Sequence, residues 1–266
     1  MLTPPSAYLS STPGSLRYPA WLAGNWQVTN TNGQPALSLP LGPRFVDPLL
    51  INAVQRTNTR RYRVRFVDSA VAADAPSCGP TPPDLPVQQD RRFNTMQEDG
   101  AFLAPSGFVV EGGAYACGEK HPHGRVVLDI LDTDATAGVR AADTSGSAVE
   151  VVQRVAFRSK SELEVVWAGW EAEPDRFVTS EMTVQRDLLP DGEEMAASFF
   201  ELLTRFERGP SEDMVTARYR VVQYLGFPEL GVARPRSSSR AERALEKDAA
   251  GRAIAVLDYD LRMERV

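Results

Sequence analysis

From Ala255 to Arg265 the chain alternates without a break. Leu257, Tyr259, Leu261 and Met263 fall on one parity; Asp258, Asp260, Arg262 and Glu264 fall on the other. Successive side chains of a strand point to opposite faces. The run is therefore a strand with one buried face and one wet face, as an antiparallel barrel wall requires. Near the other end, Gly24-Asn25-Trp26-Gln27-Val28 reads as the opening of a first long strand. Pairing of this first strand with the last would close a barrel.

Between them the pattern is strand, turn, strand. Tyr62, Val64 and Phe66 alternate with Arg61, Arg63 and Arg65. Strand-like runs recur at 91–97, 107–117, 125–132, 148–158, 162–170, 176–186, 195–208 and 214–225. Turn signals punctuate them: Asn32-Gly33, Glu98-Asp99-Gly100, His123-Gly124, Pro190-Asp191-Gly192 and Gly209-Pro210. This spacing predicts an all-β fold, a single antiparallel barrel, closed or nearly closed. Residues 1–17, with Pro4, Pro5 and Pro13, read as an extended arm, and 18–266 as the barrel domain. Residues 70–86 are rich in Pro, Ala, Asp and Gly and read as a long excursion between strands. A short helix is expected after Asp47-Pro48. Another precedes the last strand: Ser239 and Glu242 form a capping-box pattern, 240–248 is rich in helix formers, and Gly251 can stop it.

The totals narrow the function classes. With 42% hydrophobic and 24% charged residues, a chain of 266 residues belongs to the folded globular class. The net charge of −6 argues against a nucleic-acid binder working through bulk charge. No apolar run approaches a membrane span. The N-terminus shows neither a signal-type apolar core nor a basic transit-type stretch. The expectation is a cytosolic protein, or one whose targeting segment lies outside this sequence. Cys78 and Cys117 are either unrelated thiols or a disulfide, which would need an oxidising compartment. Neither sits in a C-x-x-C pair. His121 and His123 flank Pro122 in a polar run with Glu119 as the nearby carboxylate, a poor metal or haem site. No metal and no cofactor are expected.

Asp90-Arg91-Arg92-Phe93-Asn94 is the most site-like cluster. Arg91 could grip a carboxylate through two hydrogen bonds, and Asn94 could orient a carbonyl. Asp90 and Arg91 could equally form a local ion pair, with Asn94 capping a turn. Tyr115, Trp167 and Trp170 could line a pocket or simply fill the core. Glu181 falls on the parity opposite to Val178, Met182 and Val184, which predicts a solvated position. Arg61, Arg63, Arg65, Arg218 and Arg220 read as solvated faces paired with acids. Trp26 is expected to plug the barrel end, with Arg265 or Arg262 stacked on its indole.

This combination resembles the calycin superfamily of lipocalin-type barrels. More narrowly, the chain is similar to an uncharacterised domain family of cyanobacteria and plant plastids. The matching residues are Arg17-Tyr18-Pro19-Ala20-Trp21 with Gly24-x-Trp26, Pro40-Leu41-Gly42, Tyr62-x-Val64-Arg65-Phe66-Val67, Asp90-Arg91-x-Phe93-Asn94 and the 255–261 end. The chain departs from it in the insertions at 70–86 and 133–146. The resemblance implies a chloroplast, thylakoid-associated setting and supplies no reaction or ligand.

The leading expectation is a non-catalytic binding module holding a small apolar or amphipathic ligand, such as a pigment, tetrapyrrole or lipid. Its cavity would be bounded by Val178, Met182, Phe200, Leu202, Tyr219 and Leu257, with Arg91 and Asn94 at the mouth. The alternatives are an assembly factor docking on a thylakoid membrane complex, and an enzyme with its site at the barrel mouth. The enzyme ranks last because no G-x-S-x-G, H-E-x-x-H or phosphate-loop motif is present.

Overall fold

The computed structural model describes residues 10–11, 15–31, 36–42, 46, 61–68, 84–104, 108–132, 136–142, 148–154, 157–224 and 252–266. In chain order these form β1 (Ser10–Ser11), β2 (Arg17–Tyr18), a 3-10 turn (Ala20–Leu22), β3 (Gly24–Asn30), β4 (Ala36–Ser38), β5 (Arg61–Asp68) and β6 (Val87–Gln89). Then come α1 (Arg91–Leu103), β7 (Phe108–Gly118), β8 (His121–Asp132), β9 (Thr136–Ala142), β10 (Ala148–Arg154) and β11 (Phe157–Ala172). The chain continues with β12 (Arg176–Leu188), β13 (Glu194–Arg208), β14 (Met214–Tyr224) and β15 (Ala253–Arg265).

The first long strand and the last do pair. β3 runs antiparallel to β15, with Trp26 opposite Arg265 and Val28 opposite Met263. The main sheet has the order β2-β6-β5-β3-β15-β14-β13-β12-β11-β8-β7, with β1 added to β11 and β4 to β15. β9 and β10 form a separate two-stranded sheet. The all-β, antiparallel, barrel-like expectation is met.

The curl follows from one side chain. The Tyr18 ring lies 4.9 Å from Phe66 of β5 and 5.5 Å from Phe177 of β12. Those two strands stand five places apart in the sheet, which in a flat sheet would separate them by about 24 Å. The sheet is therefore curled into a half-barrel. The N-terminal segment spans its open side, for Ser10–Ser11 pair with β11 while Arg17–Tyr18 pair with β6. Ser15, Leu16, Arg17 and Tyr18 are buried there.

The Gly-x-Trp step has a local explanation. Trp26 is fully buried and its Nε1 donates to the Leu22 carbonyl at 2.8 Å. The Arg265 guanidinium lies over the indole at 4.6 Å, and its Nη1 donates to the Ala23 carbonyl at 2.8 Å. Gly24 has φ +126°, and a Cβ there would sit 2.8 Å from Arg265 Nη1. Only glycine satisfies both conditions. Arg262 is not at the indole; it pairs with Glu264 at 2.7 Å.

Other expectations need correction. Residues 91–97 are helical, and Glu98-Asp99-Gly100 lies inside α1 rather than at a turn. His123-Gly124 lies within β8; the turn of the β7–β8 hairpin is at Glu119-Lys120. The expected helices after Asp47-Pro48 and at 240–248, the Asn32-Gly33 turn, most of 70–86 and Cys78 fall outside the described residues. A helix directly before β15 is therefore not among the described elements. The helix that is described, α1, follows β6.

Candidate functional site

The segment from Asp90 is a helix because its side chains satisfy the helix start. The Asp90 carboxylate accepts from the Phe93 amide at 3.0 Å, an N-cap. It also takes Arg65 Nε at 2.9 Å, and the Arg65 guanidinium lies over the Phe93 ring at 4.7 Å. Asn94 then imitates a strand residue. Its Oδ1 accepts from the Arg65 amide at 2.6 Å and its Nδ2 donates to the Arg65 carbonyl at 3.1 Å. Asp90 and Asn94 together fix α1 to β5.

With the helix so held, Arg91, Asn94, Thr95 and Glu98 share one face, by their spacing of three, four and seven. That face looks onto the concave side of the sheet. Between them lies a pocket of about 120 Å³. Its sheet side carries Val28, Val64, Phe66, Leu261 and Met263, with Tyr62 and Tyr219 among the rings. One wall is thus polar and helical; the other is largely apolar.

Arg91 is engaged within the pocket by Glu181 of β12, through two parallel hydrogen bonds, and both side chains are only 10% exposed. Burial alone would lower the Arg91 pKa, but the Glu181 charge and hydrogen bond outweigh it and raise it, so the cation stays protonated. Burial, then Glu181, drives the Tyr18 hydroxyl above the ordinary tyrosine range, with Arg91 opposing in part. Burial, then Glu98, Tyr62, Tyr259 and Asp99, raises Tyr219. These groups are moved away from neutrality, which suits holding a ligand rather than relaying protons near pH 7.

Of the residues singled out in the sequence, Arg91, Asn94, Leu202 and Tyr219 line this pocket, and Val178 and Leu257 are not in its lining. Phe200 stands on the same strand face as Leu202, half-buried and beyond the pocket lining. Tyr115 of β7 makes a 3.2 Å hydrogen bond between its hydroxyl and Ser15 Oγ. Met182 lies elsewhere. It pairs with Glu201 while its neighbour Glu181 pairs with the pocket-lining Leu202, so Met182 occupies the opposite face. There it clusters with Val184, Phe199, Val222 and Tyr224, and Trp167 packs against them. A bulge between Val165 and Trp167 sets the tryptophan on that face.

Glu181 is not solvated as its parity suggested. It is buried because the inward parity of β12 is the one carrying Phe177, Thr179 and Glu181. Tyr18, Tyr62, Glu98 and Thr204 also line the pocket and were not singled out. The available signal was helical: an Asp N-cap followed by polar residues at positions 91, 94, 95 and 98.

Two further polar groups stand apart. Glu201, fully buried, accepts from Ser180 Oγ and from the Tyr224 hydroxyl, each at 2.8 Å. Across β8, β11 and β12, Arg186 bridges Glu162 and Glu164 at 3.1 and 3.0 Å. His121 Nδ1 sits 2.8 Å from Glu164, and Arg125 pairs with Glu162. Among the described residues no group of three His, Cys, Asp or Glu could hold a metal ion, and no helix is long and apolar enough to cross a membrane.

A family described as a domain of unknown function (DUF6816) matches residues 10–123. That stretch includes α1 with Arg91 and Asn94, and stops before Glu181 and Tyr219. No curated protein and no solved structure matches the chain.

Proposed function

We propose that the protein is a non-catalytic binding module whose curled sheet holds a small amphipathic ligand beneath α1. One observation carries this reading: a polar helical row faces a largely apolar concave sheet across a pocket. The head group would lie against α1 and the apolar body against β3 and β15. The pocket's 120 Å³ equals the liquid share of about four water molecules. Drug-sized ligands occupy about 300–1,000 Å³. A slim, short-chain ligand therefore fits as the pocket stands. A tetrapyrrole, pigment or full-length lipid would require α1 to move off the sheet. The resemblance to the cyanobacterial and plant-plastid domain family adds a plastid or thylakoid setting to the proposal, which fractionation of tagged protein in a photosynthetic host would check.

The experiment is native mass spectrometry of the purified protein, followed by thermal-shift titration with short-chain amphiphiles. Ala217, which lines the pocket and is 5% exposed, serves as the control. Ala217→Leu fills the space from the sheet side. Binding by the wild type and none by this folded variant supports the reading. No adduct and no shift with any amphiphile defeats it. The pocket's small volume favours one second reading, an assembly factor that docks on a membrane complex through its surface. In that case pull-down would recover a complex from wild type and Ala217→Leu alike.

A further inference from the structure

The chemistry of the ligand can be read from the strand register beneath the pocket, and this inference rests on the binding reading above. Recognition falls to the polar groups that the protein leaves unpaired. The charged groups of the lining are taken. Arg91 gives two hydrogen bonds to Glu181, and both side chains are 10% exposed. Glu98 has interactions of its own within the protein. A ligand carboxylate would have to draw Arg91 off Glu181, and an ammonium ion would have to draw Glu181 off Arg91. Either breaks a buried pair.

The uncharged groups are laid out differently. Thr179 of β12 stands opposite Thr204 of β13, Thr204 opposite Tyr219 of β14, and Tyr219 opposite Tyr259 of β15. Side chains directly opposite on one face lie about 4.5–5.5 Å apart at Cβ. One row of hydroxyl-bearing side chains therefore crosses four strands, and Thr179, Thr204 and Tyr219 line the pocket. Thr179 is only 3% exposed. Among the described residues, none of these three hydroxyls has a hydrogen-bond partner. Buried polar groups are ordinarily paired, so an unpaired row calls for a partner from outside the chain. Two residues along each strand, about 7 Å away, the next row is Phe177, Phe206, Ala217 and Leu261. That row is apolar throughout, and Ala217 is its smallest member.

We infer that the ligand is an uncharged short-chain alcohol, its hydroxyl held by Thr179 and Thr204 and its hydrocarbon lying over Ala217 towards Leu261. A hydroxyl both donates and accepts, so it can bond two threonine hydroxyls at once, one in each direction. The polar row and the apolar row beside it match the two ends of such a molecule.

The test compares three probes of one chain length at pH 7: butanol, butylamine and butyrate. Each is titrated by calorimetry into the wild type, Thr179→Val/Thr204→Val and Ala217→Leu. Valine keeps the shape of threonine and removes only the hydroxyl. The expected result is that butanol binds roughly tenfold or more tighter than either charged probe. Its affinity should fall by roughly tenfold in the double valine variant, with the charged probes unmoved. All binding should disappear in Ala217→Leu. Thr204→Val alone, at the more exposed of the two threonines, should weaken butanol in the same sense, and it carries the test if the double variant does not fold. Butylamine or butyrate binding as tightly as butanol would overturn the inference and leave the binding reading standing. A butanol preference that persists unchanged in the valine variants, or binding that survives Ala217→Leu, would also overturn it. If none of the three probes binds, the binding reading fails, and the inference with it.

Discussion

Replacing Arg91 by Met removes the cation and leaves Glu181 buried beside Tyr18. Breaking one side of a buried pair costs about 3–5 kcal/mol. A smaller term opposes it. Arg91 lies in the first turn of α1, where the helix dipole disfavours a positive charge, so its removal returns about 0.3–1 kcal/mol. The net loss is about 2–5 kcal/mol. For a domain of this size each kcal/mol moves Tm by about 2–4 °C, so a drop of about 4–20 °C is expected near neutral pH. The loss should depend on pH. An uncompensated buried carboxylate holds its proton, which raises its folded-state pKa above the unfolded value. Stability is then lost as pH rises through that folded pKa. The deficit against wild type should vanish near pH 4 and below, around the ordinary glutamate pKa, and grow towards pH 8. Removing both charges in Arg91→Met/Glu181→Leu should restore most of the stability, with a coupling of about 3 kcal/mol in the double-mutant cycle. Urea unfolding followed by circular dichroism across this pH range measures all four proteins. A deficit independent of pH, or a double variant as unstable as Arg91→Met, would refute the reasoning.

Asn94→Ala should cost about 1–3 kcal/mol, because it strands the Arg65 amide, and hydrogen exchange should show α1 losing protection before the sheet does. Gly124→Ala should destabilise for two reasons, its φ of +100° and a Cβ only 2.5 Å from the Tyr115 hydroxyl. Thermal melts of Gly124→Ala/Tyr115→Ala should show partial rescue, since the backbone strain remains. Burial raises the Glu164 pKa, but hydrogen bonds from His121 and Arg186 outweigh it and hold the carboxyl below the ordinary glutamate value. A depressed folded-state pKa gives stability that is present at neutral pH and lost as pH falls below that value. Glu164→Gln should therefore flatten the acid limb of the stability profile in urea titrations.

The strands were legible because burial is one-sided along most of them. In β15 the inward parity carries Leu257, Tyr259, Leu261 and Met263, all buried, and no other periodicity competes. The first-to-last pairing followed from the same logic. β12 was not legible in this way. From Thr179 to Val184 every residue is buried, so both parities face packed surroundings. Apolar Met182 and Val184 then suggested an inward face that belongs to Phe177, Thr179 and Glu181. The parity rule fails where a sheet is covered on both sides. The bulge at Val165–Trp167 compounded the difficulty in β11, since one extra residue moves an aromatic to the other face. For 91–97 the missed signal was the cap: Asp90 closes on Phe93, a pattern that outranks a short apolar alternation.

What sets α1 apart follows from what it does not do. A helix laid over an apolar sheet ordinarily turns its apolar stripe inward. In α1 the row facing the concave sheet is Arg91, Asn94, Thr95 and Glu98. Met96 instead packs near Gly113 of β7, and Phe93 lies beneath the Arg65 guanidinium. Rotating the helix by about 100° per residue would exchange these faces, and three fixtures prevent it. Asp90 holds Arg65, Asn94 is bonded twice to the β5 backbone, and Arg91 is bonded twice to Glu181. An apolar row in place of the Arg91–Glu181 pair would bury more surface at no desolvation cost. Polar groups held inward against that preference are the feature on which the proposed ligand reading rests.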